Sequence, residues 1–192
     1  METPKIKIEK KSVLYGPNGG GKSHLIRTLL ADAPSIAKIH ITECKVWHNT
    51  KIFDKDEFSL NDSFAINDPI AKRLDVYYDK VYDPDLGWIP IRHLSYGQRR
   101  RLVIEAALEG GDFVAIENFE AGLHVDYIVE LIKRIAETDA TVILESHSGL
   151  VLRLAMRYGI AMFYVSNTIK QIEKFDDKMF AKELSAYNAI IV

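Results

Sequence analysis

The sequence is short of cysteine, of glutamine and of long apolar runs, and each shortage removes a class of protein. Cys44 is the only cysteine in 192 residues, so neither a disulfide framework nor a cysteine-based zinc site is available. A lone thiol suits burial in a reducing cytosol, and the chain is expected to be cytoplasmic. No apolar run approaches the length needed to cross a bilayer, and the opening METPKIKIEKK lacks the apolar centre of a secretion signal. No membrane span of its own is therefore expected. Lysine and arginine total 25 against 27 aspartate and glutamate, a formal net charge of −2, so overall basicity does not call for nucleic acid or anionic lipid. Glutamine stands only at Gln98 and Gln171. Internal repeats and low-complexity segments are absent.

What the chain does have is glycine concentrated in one place. Ser12–Leu30 reads SVLYGPNGGGKSHLIRTLL: a short apolar strand, a loop over 16–21 in which four of six residues are glycine, and then leucines and isoleucine at helical spacing. That is strand, loop and helix in the order of a P-loop. Gly16, Gly19, Gly20 and Gly21, with Asn18, let the backbone take positive φ and turn N–H groups onto phosphate oxygens. The helix beginning near Lys22 aims its positive end at the same point. Lys22 would meet the β- and γ-phosphates, the Ser23 hydroxyl would ligate Mg²⁺, and His24 completes the segment. A nucleoside triphosphate is the ligand this pattern fits.

Elsewhere apolar strands alternate with helices. Strands are expected at Lys5–Glu9, at Ile36–Ile41 with a continuation towards Trp47, and at Phe113–Ile116, Thr141–Leu144 and Ala161–Val165. A late antiparallel strand is expected at Thr168–Phe175. Helices are expected at Ser63–Val76, Gly97–Leu108, Val125–Ala136, Leu150–Tyr158 and Lys178–Asn188. On the third of these, Val125, Ile128, Val129, Ile132 and Ile135 share an apolar face. The fold class is α/β: one domain over residues 1–192, a mostly parallel central sheet covered by helices on both faces, with a variable middle lobe at 42–92. Ligands of such sheets sit at the carboxyl ends of the strands.

Three further stretches fall at that edge. LSYGQRRRL at 94–102 opens a helix on Ser95 and Gly97, again offering a hydroxyl and N–H groups at a positive dipole end. Arg99–Arg101 in its first turns oppose the dipole and point about 100° apart, so one is expected to meet an anion or carboxylate while the others are solvated or paired. FVAIENFEAGLH at 113–124 delivers Glu117 to the edge, where a carboxylate holds Mg²⁺ or its waters. Asn118 cannot accept a proton; Glu120 can polarise a water. VILESHSGLVLRL at 142–154 places His147 at the same edge, able to donate to a γ-phosphate.

Together these stretches resemble the ABC-type ATPase domain. GPNGGGKS resembles its Walker A loop, LSYGQ its signature, FVAIENFEAGLH its Walker B and D-loop, and LESHS its switch-histidine segment. IENFEAGLH followed by LESHSGLVLRL is most similar to the soluble branch that holds the OLD (overcoming-lysogenization-defect) family and the RecF-like, Rad50-like and SMC-like ATPases. The resemblance implies ATP and Mg²⁺ as cofactors, with Ser23 and Glu117 at the metal. It also implies an ATP-dependent head-to-tail homodimer, in which Ser95, Gly97 and Gln98 of one copy cap the nucleotide of the other. Three positions depart from the pattern. Glu117 stands where the family has Asp, Asn118 where it has the catalytic Glu, and Tyr96 where the signature has glycine. Glu120, with His147 and Glu117, is then the expected catalytic set. No glutamine lies between the two blocks, which leaves Glu43 or His48 at the Q-loop position. A partner protein or DNA would be the object worked upon.

Overall fold

A computed structural model describes residues 8–35, 37–43, 45–49, 56–59, 80–83 and 87–174. Among the described residues, ten strands and four helices run in the order β1 (Lys11–Tyr15), α1 (Lys22–Asp32), β2 (Lys38–Ile41), β3 (Lys45–Asn49), β4 (Asp56–Ser59), β5 (Lys80–Asp83), β6 (Gly87–Pro90), α2 (Tyr96–Gly110), β7 (Phe113–Ile116), α3 (Val125–Glu137), β8 (Thr141–Glu145), α4 (Gly149–Arg157), β9 (Ala161–Val165) and β10 (Ile169–Ile172). A short 3₁₀ turn, Ile91–His93, leads into α2.

Eight strands form one sheet in the order β10-β9-β1-β8-β7-β2-β3-β4, and β5 with β6 makes a separate hairpin. The five central strands, β9 to β2, are parallel. Both ends are finished by antiparallel strands: β10 beside β9, and β3 and β4 beyond β2. The expected α/β class with a mostly parallel sheet is what the chain forms.

The period-two alternation of each strand decides which helix covers which face. On β1, Val13 joins a large core with Ile39, Val114, Val142 and Leu144, packed with residues of α2, α3 and α4 such as Val103, Ile132 and Val151. Its neighbour Leu14 faces the other way, with Ile26 of α1, Ala115, Ile143 and Phe163. Among the described residues, one helix thus covers one face and three cover the other.

Several expectations need correction. The strand at Ile36–Ile41 does not run on to Trp47. Thr42 turns the chain, its N–H donating to the Lys45 carbonyl at 2.8 Å and its hydroxyl accepting the Lys45 N–H at 3.0 Å, so β3 returns antiparallel. Of the strand expected at Lys5–Glu9, residues 5–7 lie outside the described residues, and Ile8 and Glu9 are not in a strand; β1 begins at Lys11. On α3 the buried face is Ile128, Leu131, Ile132 and Ile135, a strict i, i+3, i+4, i+7 set, while Val125 and Val129 are exposed. The late strand is antiparallel as expected but confined to Ile169–Ile172. The helices expected at 63–76 and 178–188, Cys44, and most of the 42–92 lobe lie outside the described residues.

Candidate functional site

Because β1, β2, β7 and β8 are parallel neighbours, the segments that follow them emerge at one edge: the glycine loop, Thr42–Glu43, Glu117–Asn118 and Ser146–His147. The edge is laced by the backbone, with Glu117 N–H donating to Ile41 O at 2.8 Å, Phe119 N–H to Glu145 O at 2.9 Å and Ser146 N–H to Leu14 O at 3.1 Å.

The glycines of the loop have steric reasons. A Cβ on Gly16 would stand 2.1 Å from the Val165 carbonyl at the end of β9, so only glycine lets the loop leave the sheet there. Gly21 takes the left-handed conformation (φ 93°) as N-cap of α1, and no side chain caps the helix. Lys22, only 4% exposed, folds back into the loop: its Nζ donates to the carbonyls of Gly16 and Pro17, each at 3.0 Å, and stands 3.5 Å from Glu145 Oε1. Ser23 Oγ lies 3.5 Å from Glu145 Oε2 and also stabilises the Glu117 carboxylate. A cavity of about 310 Å³ is lined by Asn18, Gly19, Gly21, Lys22, Ser23, His24 and Glu145. A second, of about 670 Å³, is lined by Asn18, Ser23, Thr42, Glu43, Glu117, Asn118, Glu145 and His147.

Glu117 is held from behind by β2, where His40 Nε2 lies 2.8 Å from its Oε1. This hydrogen bond is the main reason the Glu117 carboxyl titrates below the ordinary glutamate range; burial opposes it, and Ser23 and Arg27 add to the lowering. The carboxylate is therefore charged at neutral pH beside the Ser23 hydroxyl. Among the described residues no group of three or more His, Cys, Asp or Glu side chains is placed to hold a metal unaided. One hydroxyl and one or two carboxylates are instead the sparse protein share that suits Mg²⁺ carried on nucleotide phosphates.

The remaining expected residues divide. His147 reaches the edge with its ring 38% exposed and Nε2 3.7 Å from Glu145 Oε1. Glu120 holds that segment, Oε1 accepting the His147 N–H at 2.9 Å; its Oε2 is buried without a hydrogen-bond partner. Asn118 has positive φ (51°) and donates from Nδ2 to Glu43 Oε2 at 3.2 Å, which brings Glu43 into the same cavity. Ser95 and Gln98 form a reciprocal capping box on α2: Ser95 Oγ accepts the Gln98 N–H at 3.2 Å, and Gln98 Oε1 accepts the Ser95 N–H at 2.8 Å. Ser95, Gly97 and Gln98 are not among the residues lining the two cavities at the loop.

Of the three arginines, Arg101 meets carboxylates as expected, Glu105 at 3.2 Å and Glu130 at 3.3 Å, and stacks on Tyr127. Arg134 pairs with Glu105 and Glu109, each at 2.9 Å, so this face of α2 and α3 is electrically matched. Arg100 is neither solvated nor paired with a carboxylate. It is wholly buried, and its guanidinium donates to backbone carbonyls.

Three residues of the site were not assigned a role from sequence. His40 carried one signal, a polar residue between Ile39 and Ile41 in a period-two strand. Glu145 carried another, a charge closing an apolar run. Arg100 carried none that separates it from Arg99 or Arg101, since only its position on α2 relative to β2 and β7 gives it a function.

Sheet order, glycine loop and the segments meeting at one strand edge define a P-loop domain with the ABC-ATPase-like architecture. The chain belongs to the family described as "AAA domain, putative AbiEii toxin, Type IV TA system", which matches residues 46–154. That span includes the Ser95 turn and the ends of β7 and β8, and begins after the phosphate loop. A curated relative, described as a "putative ABC transporter ATP-binding protein" of Listeria monocytogenes serotype 4b (strain F2365), is 25% identical over 173 residues, covering 74% of this chain. The chain spans 65% of that relative's length. Among solved structures, the SMC head domain from Thermotoga maritima is similar at 16% identity and a TM-score of 0.47, over 88% of this chain and 93% of that one. An ATP-binding subunit of an ABC transporter is similar at 18% identity and a TM-score of 0.49, over 91% of this chain and 82% of that one.

Proposed function

We propose that the chain is a Mg²⁺-dependent ATPase. It binds ATP on Gly16, Asn18 and Gly19–His24, and two copies close head-to-tail over the nucleotides. The observation that carries this reading is the meeting of Lys22, Ser23, Glu117, Glu145 and His147 at the carboxyl end of the parallel strands. Lys22 must exchange its two loop carbonyls and Glu145 for phosphate oxygens, which carry more charge and arrive with the open N–H groups of α1. Ser23 and Glu117 would hold Mg²⁺, whose chemistry is to neutralise charge on the β- and γ-phosphates. His147 donates to the γ-phosphate. Glu120, which lines neither cavity at the loop, polarises the attacking water once the His147 segment held by its Oε1 moves and opens its buried, unpartnered Oε2. Ser95, Gly97 and Gln98 belong to the partner copy's nucleotide, in keeping with their place outside the two cavities at the loop. A two-fold arrangement uses both surfaces twice and closes.

Within the ABC-ATPase-like class, the LESHS and FEAGLH segments favour the soluble OLD-, RecF- and SMC-like branch over a transporter subunit. Arg101 and Arg134 are matched by glutamates, and salt-dependent DNA binding in the presence of ATP distinguishes a DNA partner from a protein. The decisive experiment is ATP-dependent dimerisation followed by sedimentation. The wild type should dimerise with MgATP, and Ser95→Arg should stay monomeric while binding ATP. ATP-dependent dimers of the Ser95 variant contradict the head-to-tail model.

A second reading, an ATP-gated binding module with negligible turnover, is favoured by Asn118: the residue after Glu117 is an amide tied to Glu43. Phosphate release separates the two readings. A rate that falls in Glu120→Gln supports the enzyme; a rate unchanged by that substitution removes Glu120 from its assigned role.

A further inference from the structure

Arg100 lies wholly buried one turn into α2, and its five contacts are with backbone carbonyls and a tyrosine. One terminal nitrogen donates to Thr42 O at 2.9 Å and the other to the carbonyls of Glu117 and Asn118, each at 2.8 Å. Its Nε is buried without a hydrogen-bond partner among the described residues. Desolvating a guanidinium is expensive, and an apolar side chain would fill the same volume at less cost. The three carbonyls have a property in common: they lie where β2 and β7 leave the sheet, and those exits carry Glu43 and Glu117.

Tyr96, one helical turn earlier, reaches the same place. Its hydroxyl donates to the Glu43 carbonyl and accepts from Arg100 at 3.4 Å. Its ring covers Gly122, where a Cβ would stand 2.4 Å from the ring, and a Cβ on Gly97 would stand 2.1 Å from the Gly122 carbonyl. The first turn of α2 is thus fitted without slack against the exits of both carboxylate-bearing strands. A planar guanidinium fixes two loops in one register in a way that a lysine point charge does not.

We infer that Tyr96 and Arg100 form a strut that couples the Ser95–Gly97 turn to the Glu43 and Glu117 loops of the same chain, so that a nucleotide at one is felt at the other. This rests on the nucleotide reading above. Both are positioning residues, acting through the loops they hold. The strut gives the tyrosine at position 96 a role that glycine could not fill.

The test is amide hydrogen exchange on the full chain with and without MgATP, at a chain concentration where sedimentation shows only monomer, with MgATP affinity measured alongside. In the wild type, MgATP should slow exchange at 16–24 and also at 95–100, the latter about fivefold or more. Tyr96→Phe and Arg100→Lys should bind MgATP within about threefold of wild type and keep the response at 16–24, yet lose it at 95–100. Tyr96→Phe keeps the ring on Gly122 and carries the test where Arg100→Lys does not fold. The strut is overturned by a wild-type response confined to 16–24, or by variants that respond at 95–100 as the wild type does. A wild-type chain that fails to bind MgATP is a separate failure, which removes the nucleotide reading and the strut with it.

Discussion

Two helices begin at turns to which the proposed function assigns a nucleotide, and they begin in opposite ways. Helix α1 starts on Gly21 with no side-chain cap, while α2 starts on Ser95 with a closed capping box. The first leaves its N–H groups to a ligand; the second satisfies part of its own start before any ligand arrives. In sequence both read as a small-residue turn at a positive helix end. The difference is that an uncapped start forgoes about 1 kcal/mol of helix stability, which a bound anion restores, whereas a boxed start is stable empty. On the proposed reading the α1 terminus is the primary phosphate site, and the Ser95 turn is a preformed surface for docking.

The comparison breaks first at Lys22. Lys22→Ala should weaken ATP binding about 100-fold or more, since the phosphates lose a cation held in the loop; isothermal titration measures it. A smaller change follows from Glu145, which serves as counter-ion to Lys22 in the empty site and stands against incoming phosphate. Glu145→Gln should tighten ATP binding by about threefold to tenfold in the same titration, and weaker binding would place Glu145 among the ligand's own contacts. At the second helix, Gln98→Ala removes the acceptor for the Ser95 N–H and should lower stability by about 1 kcal/mol in urea, with nucleotide affinity in the monomer little altered.

The smallest effect concerns pH. Glu117 has its folded-state pKa below the ordinary value of 4.5, so its ionised form contributes stability above that value, and the contribution is lost as pH falls through the lower folded pKa. His40→Asn removes the main cause of the lowering, so the urea midpoint should fall most above about pH 4.5 and the acid limb of its profile should flatten. An unmoved limb would show that His40 does not set the Glu117 carboxyl.

How much was legible in the sequence follows the same division. The phosphate loop is local: strand, glycines, lysine and serine are contiguous, and Gly16–Ser23 reads as a unit. The sheet was legible for a related reason, because runs such as Phe113–Ile116 and Thr141–Leu144 are buried on both faces and carry no competing period. The carboxylate edge is assembled from four separate segments, and only the order β1-β8-β7-β2 brings His40 behind Glu117 and Glu145 in front of Lys22. Arg100 is the extreme case. Three consecutive arginines look alike in sequence, and helical rotation alone sends one to carboxylates and one into the core. Val125 and Val129 erred in the same sense: they continue an apolar stripe in sequence but lie past the edge of what β-strands and neighbouring helices cover.

The central claim is that the uncapped start of α1, with Lys22 and the Glu117–Glu145 edge, is a nucleotide site. Titration of the full chain with MgATP, in parallel with Lys22→Ala, tests it most directly. The expected result is saturable binding by the wild type and about 100-fold weaker binding by the variant, at a temperature where circular dichroism shows both chains folded. Equal binding by both, or none by the wild type, contradicts the claim.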